Sequence, residues 1–307
     1  MAMEFLSRLP EPVQAMYVAA AKIYLSPWFY AFIALILVLE LLWPAMKQQK
    51  VFSRALAQDF VWFNVDGVYK MALLPLYTGL LKMGYDKVTG GFAFRQSDAW
   101  PVVVTVVAAF LLSDFLSWFH HWVRHKVTAL WQFHVIHHSQ REMNLFTDLR
   151  IHGVEYLVSH TISFIPLFLF PLDYPTIMGY GAVRIWHTRL IHANVRTNFG
   201  PLGHIFVSPQ FHRIHHSIEL RHRDLNFGVA LTIWDRLFGT MYRGRDEYPE
   251  TGVDGVDFVP PARLSPKAWT VSLIEQIIYP FRQLWRGTPS GPVREVGVDE
   301  EPVKRAG

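Results

Sequence analysis

The chain has 307 residues and no cysteine, with 51% hydrophobic residues, only 18% charged ones and a net charge of +4. That length allows two domains without requiring them, and the missing thiols exclude disulfides, thiolate zinc sites, cysteine-ligated iron–sulfur clusters and a cysteine nucleophile. So little charge beside 11 Trp, 12 Tyr and 23 Phe excludes a disordered chain and argues against an ordinary soluble enzyme; the slight, scattered positive excess makes no case for a nucleic-acid partner.

Residues 1–27 mix Glu4, Arg8, Glu11 and Lys22 into a weakly amphipathic pattern without the apolar centre of a signal peptide. Crossing a bilayer by helix takes about 20 mostly apolar residues. Residues 28–46 and 101–119 approach that length with one charge each, Glu40 and Asp114. Residues 55–83 carry Asp59, Asp66 and Lys70, and either span with a polar face against other helices or lie at the surface. Residues 154–170 and 174–192 read as a helical hairpin about the Pro-bounded turn 171–175, with Arg184 and Arg189 in the second half of the latter. From about residue 193 the chain is more polar. Residues 265–286 are apolar on one side, basic at the ends and carry Trp269 and Trp285, which suits an interfacial helix or one packed on the rest of the protein. The Gly, Pro and charge of 287–307 predict a disordered tail. The organisation expected is a membrane region over 1–99, a central unit over 100–243, a further segment over 244–286 and the tail.

All 15 histidines fall between His120 and His222. His121 and His125 are four apart, so on a helix both imidazoles share a face and can reach one metal. His134, His137 and His138 form a His-x-x-His-His triplet, which His212, His215 and His216 repeat 78 residues later. His192 adds a ninth candidate ligand. Nine imidazoles exceed the four protein ligands a tetrahedral zinc takes and suit two metals. Imidazole serves iron, zinc and copper; all-nitrogen ligation at a membrane surface favours an oxygen-activating iron pair. If His121 and His192 share a site, the helices ending near them exit on one side. The loop 120–153, with Arg124, Lys126, Arg141 and Arg150 against Glu142 and Asp148, makes that side cytoplasmic.

Several stretches together resemble the fatty acid hydroxylase / sterol desaturase superfamily of integral membrane di-iron oxidases. They are Asp114-Phe-Leu-Ser-Trp-Phe-His-His121-Trp-Val-Arg-His125, Phe133-His134-Val-Ile-His137-His138-Ser139, His192-Ala-Asn-Val, Pro209-Gln-Phe-His212-Arg-Ile-His215-His216-Ser217, Asp224-Leu-Asn226-Phe-Gly228 and Trp234-Asp-Arg-Leu-Phe-Gly-Thr240. They run from about residue 100 to 243 in the family's order. The resemblance implies an all-α integral membrane protein with four to five transmembrane helices and a cytoplasmic helical cap carrying two Fe ions. It implies O2-dependent hydroxylation or desaturation of an alkyl C–H bond on a membrane lipid. The sequence departs from the pattern at Trp122, where the family usually has Arg, and in the extra His120. His187 and His222 are further candidate ligands; His152 reads as structural or as a support to the ligands, and His160 as a hydrogen-bonded core residue.

A ligating histidine usually gives its other N–H to a carboxylate or carbonyl. Asp114, two helical turns before His121, and Asp224, Asn226 and Asp235 after the last triplet are therefore candidates to support the ligands, Asp114 most of all because charge near a membrane is costly. With no cysteine, no Gly-x-Gly-x-x-Gly loop and no spare domain, the electrons must come from an external donor, a separate reductase, ferredoxin or cytochrome. Two rival readings are a membrane zinc hydrolase, for which no His-Glu-x-x-His occurs, and a non-enzymatic b-type haem protein, for which the triplets are wrongly spaced. The lipid and the oligomeric state are not legible.

Overall fold

The computed structural model describes residues 25–93, 99–170, 172, 174–262 and 265–287, with single positions at 14, 18 and 22. Apart from those single positions, the expectations for the first 24 residues lie outside the described residues, as do those for the tail beyond 287 and Pro171 and Asp173 of the hairpin turn. Among the described residues the fold is all-helical, with backbone pairing beyond helices limited to isolated bridges such as Pro44 with Val195 and Phe206 with Leu231.

Helix α1 spans Pro27–Leu42, started by Ser26, whose hydroxyl accepts from the Trp28 amide at 3.3 Å, and by Pro27 in its first turn. It corrects the expected span over 28–46. Pro44 denies the helix a continuation, and the chain turns back so that Trp43 and Ala45 exchange backbone bonds with Arg196 and Asn194. Glu40 is buried and accepts from the Leu145 and Asn194 amides at 3.0 and 2.9 Å. Its carboxylate ties two loops to α1 rather than facing lipid.

Residues 55–83 form two helices, α2 (Arg54–Val68) and α3 (Leu74–Thr89), joined by a π turn at Tyr69–Leu73. Pro75 has no N–H for the preceding turn, and the wider turn absorbs the loss. The buried face of α2 carries Gln58, Asp59, Trp62 and Asp66. Asp59 accepts from Gln140, Asn144 and Thr147, each at 2.8 Å, and from Arg150 at 3.2 Å, which fixes the loop after the first His triplet.

Helix α4 (Val102–Lys126) has 25 residues and is the one helix among those described that is long and apolar enough to cross a membrane. A corner at Val127 (φ −100, ψ 109) turns it into α5 (Thr128–His138). Helix α6 (Gly153–Leu169) is capped by His152, whose Nδ1 accepts from the Val154 amide at 3.2 Å, and α7 covers Tyr174–His192. The short α8 (Pro209–His215) starts at Ser208, whose hydroxyl accepts from Phe211 at 3.2 Å, and α9 spans Ile233–Leu237. Finally α10 (Pro266–Arg286) packs on α5 and α2: Gln276 accepts from Trp62 Nε1 at 3.0 Å, and Phe281 meets the Phe133 ring.

Helix α4 lies along α6 and folds back on α5, while α7 carries α8. Between α1, α7 and the 145–149 turn sits an apolar core of Ile36, Leu145, Phe146, Leu149, Ala193 and Val195. This core packs the C-terminal end of α7, which carries His192, against α1 and the loop that follows α5.

Candidate metal centre

Nine buried histidines converge in two groups. His121, His125, His134, His138 and His215 form the first, and His137, His192, His212 and His216 the second; within each group one ring nitrogen per residue lies within 4.8 Å of all the others. The groups divide each triplet by helical geometry. On α5, His134 and His138 are four apart and share a face, while His137 points about 100° away from His138. On α8 the assignment is reversed: His212 and His216 go to the second group and His215 to the first. The groups adjoin, with the rings of His138 and His216 stacked at 4.3 Å and those of His137 and His216 4.6 Å apart.

Ring nitrogens face one another at short range. His134 Nε2 lies 3.1 Å from His121 Nε2 and 3.2 Å from His138 Nε2. In the second group, His192 Nε2 lies 3.1 Å from His137 Nε2 and 2.8 Å from His212 Nε2, and His216 Nε2 lies 3.1 Å from His212 Nε2. Two imidazoles bound to one metal at about 2.1 Å, at near-tetrahedral or right angles, leave their nitrogens about 3.0–3.4 Å apart. His125 Nε2 and His215 Nε2 are buried with no hydrogen-bond partner, a costly state for polar atoms unless another group binds them. The donor set therefore fits two metal ions. Burial, aided by the positive charge of neighbouring groups, holds His134, His137, His138, His212 and His216 well below the ordinary histidine range. Burial does the same at His215. The rings are neutral, the form that donates a lone pair to a metal.

The opposite ring nitrogens are anchored. His121 Nδ1 donates to the Phe227 carbonyl and His215 Nδ1 to the Leu225 carbonyl, each at 2.9 Å, and His192 Nδ1 donates to Thr188 at 2.7 Å. His134 Nδ1 donates to Glu155 at 2.8 Å, and Arg124 pairs with the same carboxylate oxygen. Asp224 lies 3.5 Å from His125 Nδ1 and 2.5 Å from Lys126. Burial opposes its ionisation, but bonding to His125 and Lys126 brings its pKa down to about 2.

The five residues 224–228 thus touch three histidines of the first group. Asp224 and Asn226 both hold φ at 60°, and each is followed by the residue, Leu225 or Phe227, whose carbonyl meets a histidine. Asn226 keeps this loop by donating to Phe211 at 3.0 Å and accepting from Tyr242 at 2.7 Å. Asp235 accepts from Phe227 and Gly228 amides at 2.9 and 2.6 Å and from Trp118 at 3.1 Å. Neither Asn226 nor Asp235 bonds a histidine ring directly; each shapes the backbone that does.

Asp114 also departs from expectation. It is buried, but its carboxylate accepts from Ala230 and Leu231 amides at 3.1 Å and from Trp234 Nε1 at 2.8 Å, so it clamps 230–234 to α4 rather than orienting a histidine. His187 and His222 lie outside both groups, donating to Val207 and bonding Ser217 at 2.9 Å respectively. His152 caps α6, and His160 bonds Thr78 at 3.0 Å. Sequence reasoning missed Glu155. Its signal was the one available for Asp114, a lone acid in an apolar segment. The supporting carbonyls of Leu225, Phe227 and Thr188 carry no side-chain signal at all.

The family described as fatty acid hydroxylase matches residues 106–240. The chain is 34% identical over 159 residues to ornithine lipid hydroxylase OlsE of Rhizobium tropici, covering 52% of this chain and 48% of the relative. It is 35% identical over 145 residues to human alkylglycerol monooxygenase, covering 46% and 32%, and 34% identical over 224 residues to that of Danio rerio, covering 68% and 48%. The match thus spans only 32–48% of the length of these relatives. No solved structure matches the chain. All nine converging histidines fall within the matched segment, and that segment, residues 106–240, belongs to the fatty acid hydroxylase family.

Proposed function

We propose that the protein is an O2-dependent di-iron oxidase that hydroxylates an alkyl C–H bond of a membrane lipid, desaturation being the alternative outcome of the same chemistry. The observation that carries this reading is the division of nine buried histidines into a group of five and a group of four. Five imidazoles exceed what a tetrahedral zinc takes from protein, and imidazole suits iron. The relatives named for lipid hydroxylation and alkylglycerol monooxygenation support a lipid substrate.

His121, His125, His134, His138 and His215 would hold one iron, and His137, His192, His212 and His216 the other. When bound, the two irons supply O2 activation and the oxidation of carbon. The chain's own residues do the rest. Glu155, Asp224 and the carbonyls of Leu225, Phe227 and Thr188 fix the imidazoles in the tautomer that points a lone pair inward. Phe227, buried against His121, His125 and His215, keeps water from one side of the first group. Hydroxylation consumes O2, two electrons and two protons and releases water. The electrons come from a separate reductase, ferredoxin or cytochrome.

The site sits at the C-terminal end of α4, which supports a boundary position in a membrane-spanning protein. Exposed apolar residues on α1, α3, α6 and α4, such as Leu35, Leu80, Leu157 and Val107, support a multi-pass arrangement, and the basic residues of 120–153 support a cytoplasmic side for the histidines. The purified protein should carry two irons per chain, and lipid oxidation should require O2 and a reductant. Stoichiometric zinc with turnover independent of O2 would refute the proposal. Reporters near residues 173 and 247 should label outside and inside respectively.

A further inference from the structure

Helix α4 carries an exposed apolar stripe at helical spacing through Val104, Val107, Leu111 and Phe119. The stripe does not stop at the helix. Phe115 and Trp118 stack on Phe238 with centroids 6.2 and 4.4 Å apart, and Phe115 packs on Trp234 at 5.2 Å. These rings, with the Asp114 clamp on 230–234, fasten α9 against α4. Phe115 lies 11 residues, about 16 Å, before Lys126 at the C-terminal end of α4.

On its free side α9 exposes Ile233 and Leu237, one turn apart, followed by Phe238. Ile205 extends the patch: it is exposed, and its carbonyl accepts from the Thr232 amide at 2.9 Å. Leu237 is 66% exposed and Ile205 55%. Positive charge edges the patch. Exposed Arg236 of α9 reaches His204 at 3.5 Å, and Arg245 reaches the other nitrogen of that ring at 2.5 Å.

We propose that this surface, α9 with Phe238 and Ile205, rests in the interfacial layer of the bilayer that α4 crosses, with Arg236 and Arg245 at anionic headgroups. The proposal rests on the reading that α4 spans a membrane. Continuity selects the occupant. If Leu111 faces acyl chains, the rings of Phe115 and Phe238 on the same side lie near that level, and bulk water cannot begin at Leu237 next to them. A short helix with apolar residues on one side and arginine at its flank has the chemistry of an interfacial anchor, and arginine stems can lie along apolar surface while the guanidinium reaches the headgroups. The consequence is positional. His121 is six residues beyond Phe115 on α4, about 9 Å along the axis, so the histidine groups sit at the membrane boundary. A lipid would be presented there near its polar end.

The absence of cysteine makes the test direct. Single variants Leu237→Cys, Ile205→Cys, Leu111→Cys and Asp254→Cys, the last at an exposed position well outside the patch in sequence, are labelled with an environment-sensitive fluorophore. The full chain is then reconstituted in phosphatidylcholine vesicles with and without phosphatidylglycerol. Labels at 237 and 205 should emit to the blue, be quenched by phospholipid carrying a nitroxide near the glycerol end, and be shielded from aqueous iodide; the label at 254 should behave oppositely. Arg236→Glu should shift the emission at 237 toward that of water, most in the anionic vesicles. Iodide quenching at 237 and 205 equal to that at 254 overturns the proposal. So does shielding from both quenchers, the result expected if a second copy of the chain covers the patch. Leu111 separates the failures: a lipid-quenched label there with watery labels at 237 and 205 sinks only this proposal, whereas a watery label at 111 sinks the membrane reading beneath it.

Discussion

Glu155 offers the sharpest separation of metal holding from fold stability. Its buried carboxylate accepts from His134 Nδ1 and pairs with Arg124, whose own side chain is only 12% exposed. Both donors share Oε1, so Glu155→Gln can keep one acceptor oxygen for them but removes the negative charge that pairs with Arg124 and draws on the His134 N–H. A buried hydrogen bond to a charged group is worth about 1.5–3 kcal/mol, and a stability loss of about that size is expected. Removing the partner that orients a ligating histidine typically weakens metal binding roughly 10–100-fold. The weakening should fall on the His121 group alone, because the second group has its own anchor in the Thr188 carbonyl. Metal content after chelator dialysis should drop from about two ions per chain toward one. Asp114→Asn is the control: equally buried, but bonded to Ala230, Leu231 and Trp234. It should lower the melting temperature and keep both metals in the protein that remains folded. The assay is elemental analysis beside thermal unfolding. Glu155→Gln retaining both ions under a chelator that spares the unsubstituted protein, or Asp114→Asn losing them while folded, would refute the reasoning.

Other expectations follow from the same geometry. His215→Ala removes a ring whose Nε2 is buried in the first group and should abolish turnover and lower metal content, whereas His160→Ala and His187→Ala should cost about 0.5–1.5 kcal/mol for a lost hydrogen bond and keep the metal; the reverse pattern in metal analysis would overturn the ligand set. Acidification should destabilise the protein: the six buried rings of the two triplets lie below 6.5 when folded, so below that pH the unfolded chain binds more protons. Stability is therefore full above about pH 6.5 and falls beneath it by up to about 1.4 kcal/mol per ring per pH unit, and an unchanged unfolding midpoint from pH 8 to pH 5 would contradict it. Gly228→Ala places a methyl 2.8 Å from both Asp235 Oδ2 and the Leu231 carbonyl, which should cost about 1–3 kcal/mol and loosen the Phe227 carbonyl from His121; a melting temperature equal to that of the unsubstituted protein would show that the loop yields without strain.

Helical content was legible because long apolar runs and His spacings of three and four both speak the period of a helix. Helix ends were less so. The span expected over 28–46 stops at Leu42, where Glu40 binds loops more than 100 residues away in sequence, at Leu145 and Asn194, and Pro44 bridges to Val195. No local pattern announces such partners. The supporting acids divide in the same way. Asp224 could be read from its place after the last triplet, but Asp114 and Asp235 serve a backbone whose course only the fold reveals. The helix over 265–286 could be read as amphipathic, and its inner face turned out to meet Trp62 and Phe133.

The nine candidate ligands were legible as a set, yet not their division. The spacing His-x-x-His-His lets the first histidine pair with either of the other two, and only the approach of α8 to α5 decides which. Each triplet then serves both groups, His134 and His138 with His215, His137 with His212 and His216. The two centres cannot be assembled separately. Each needs α5 and α8 in register, and α8 is only seven residues long, too short to be stable alone. Its order comes from Ser208 and Pro209 at its start, from Arg213, which donates to Asn194 at 3.0 Å, and from the 224–228 loop behind His215. The backbone N–H of the same Asn194 donates to Glu40 on α1. The one charge in the apolar stretch 28–46 is therefore joined, through one asparagine, to the helix that completes both histidine groups.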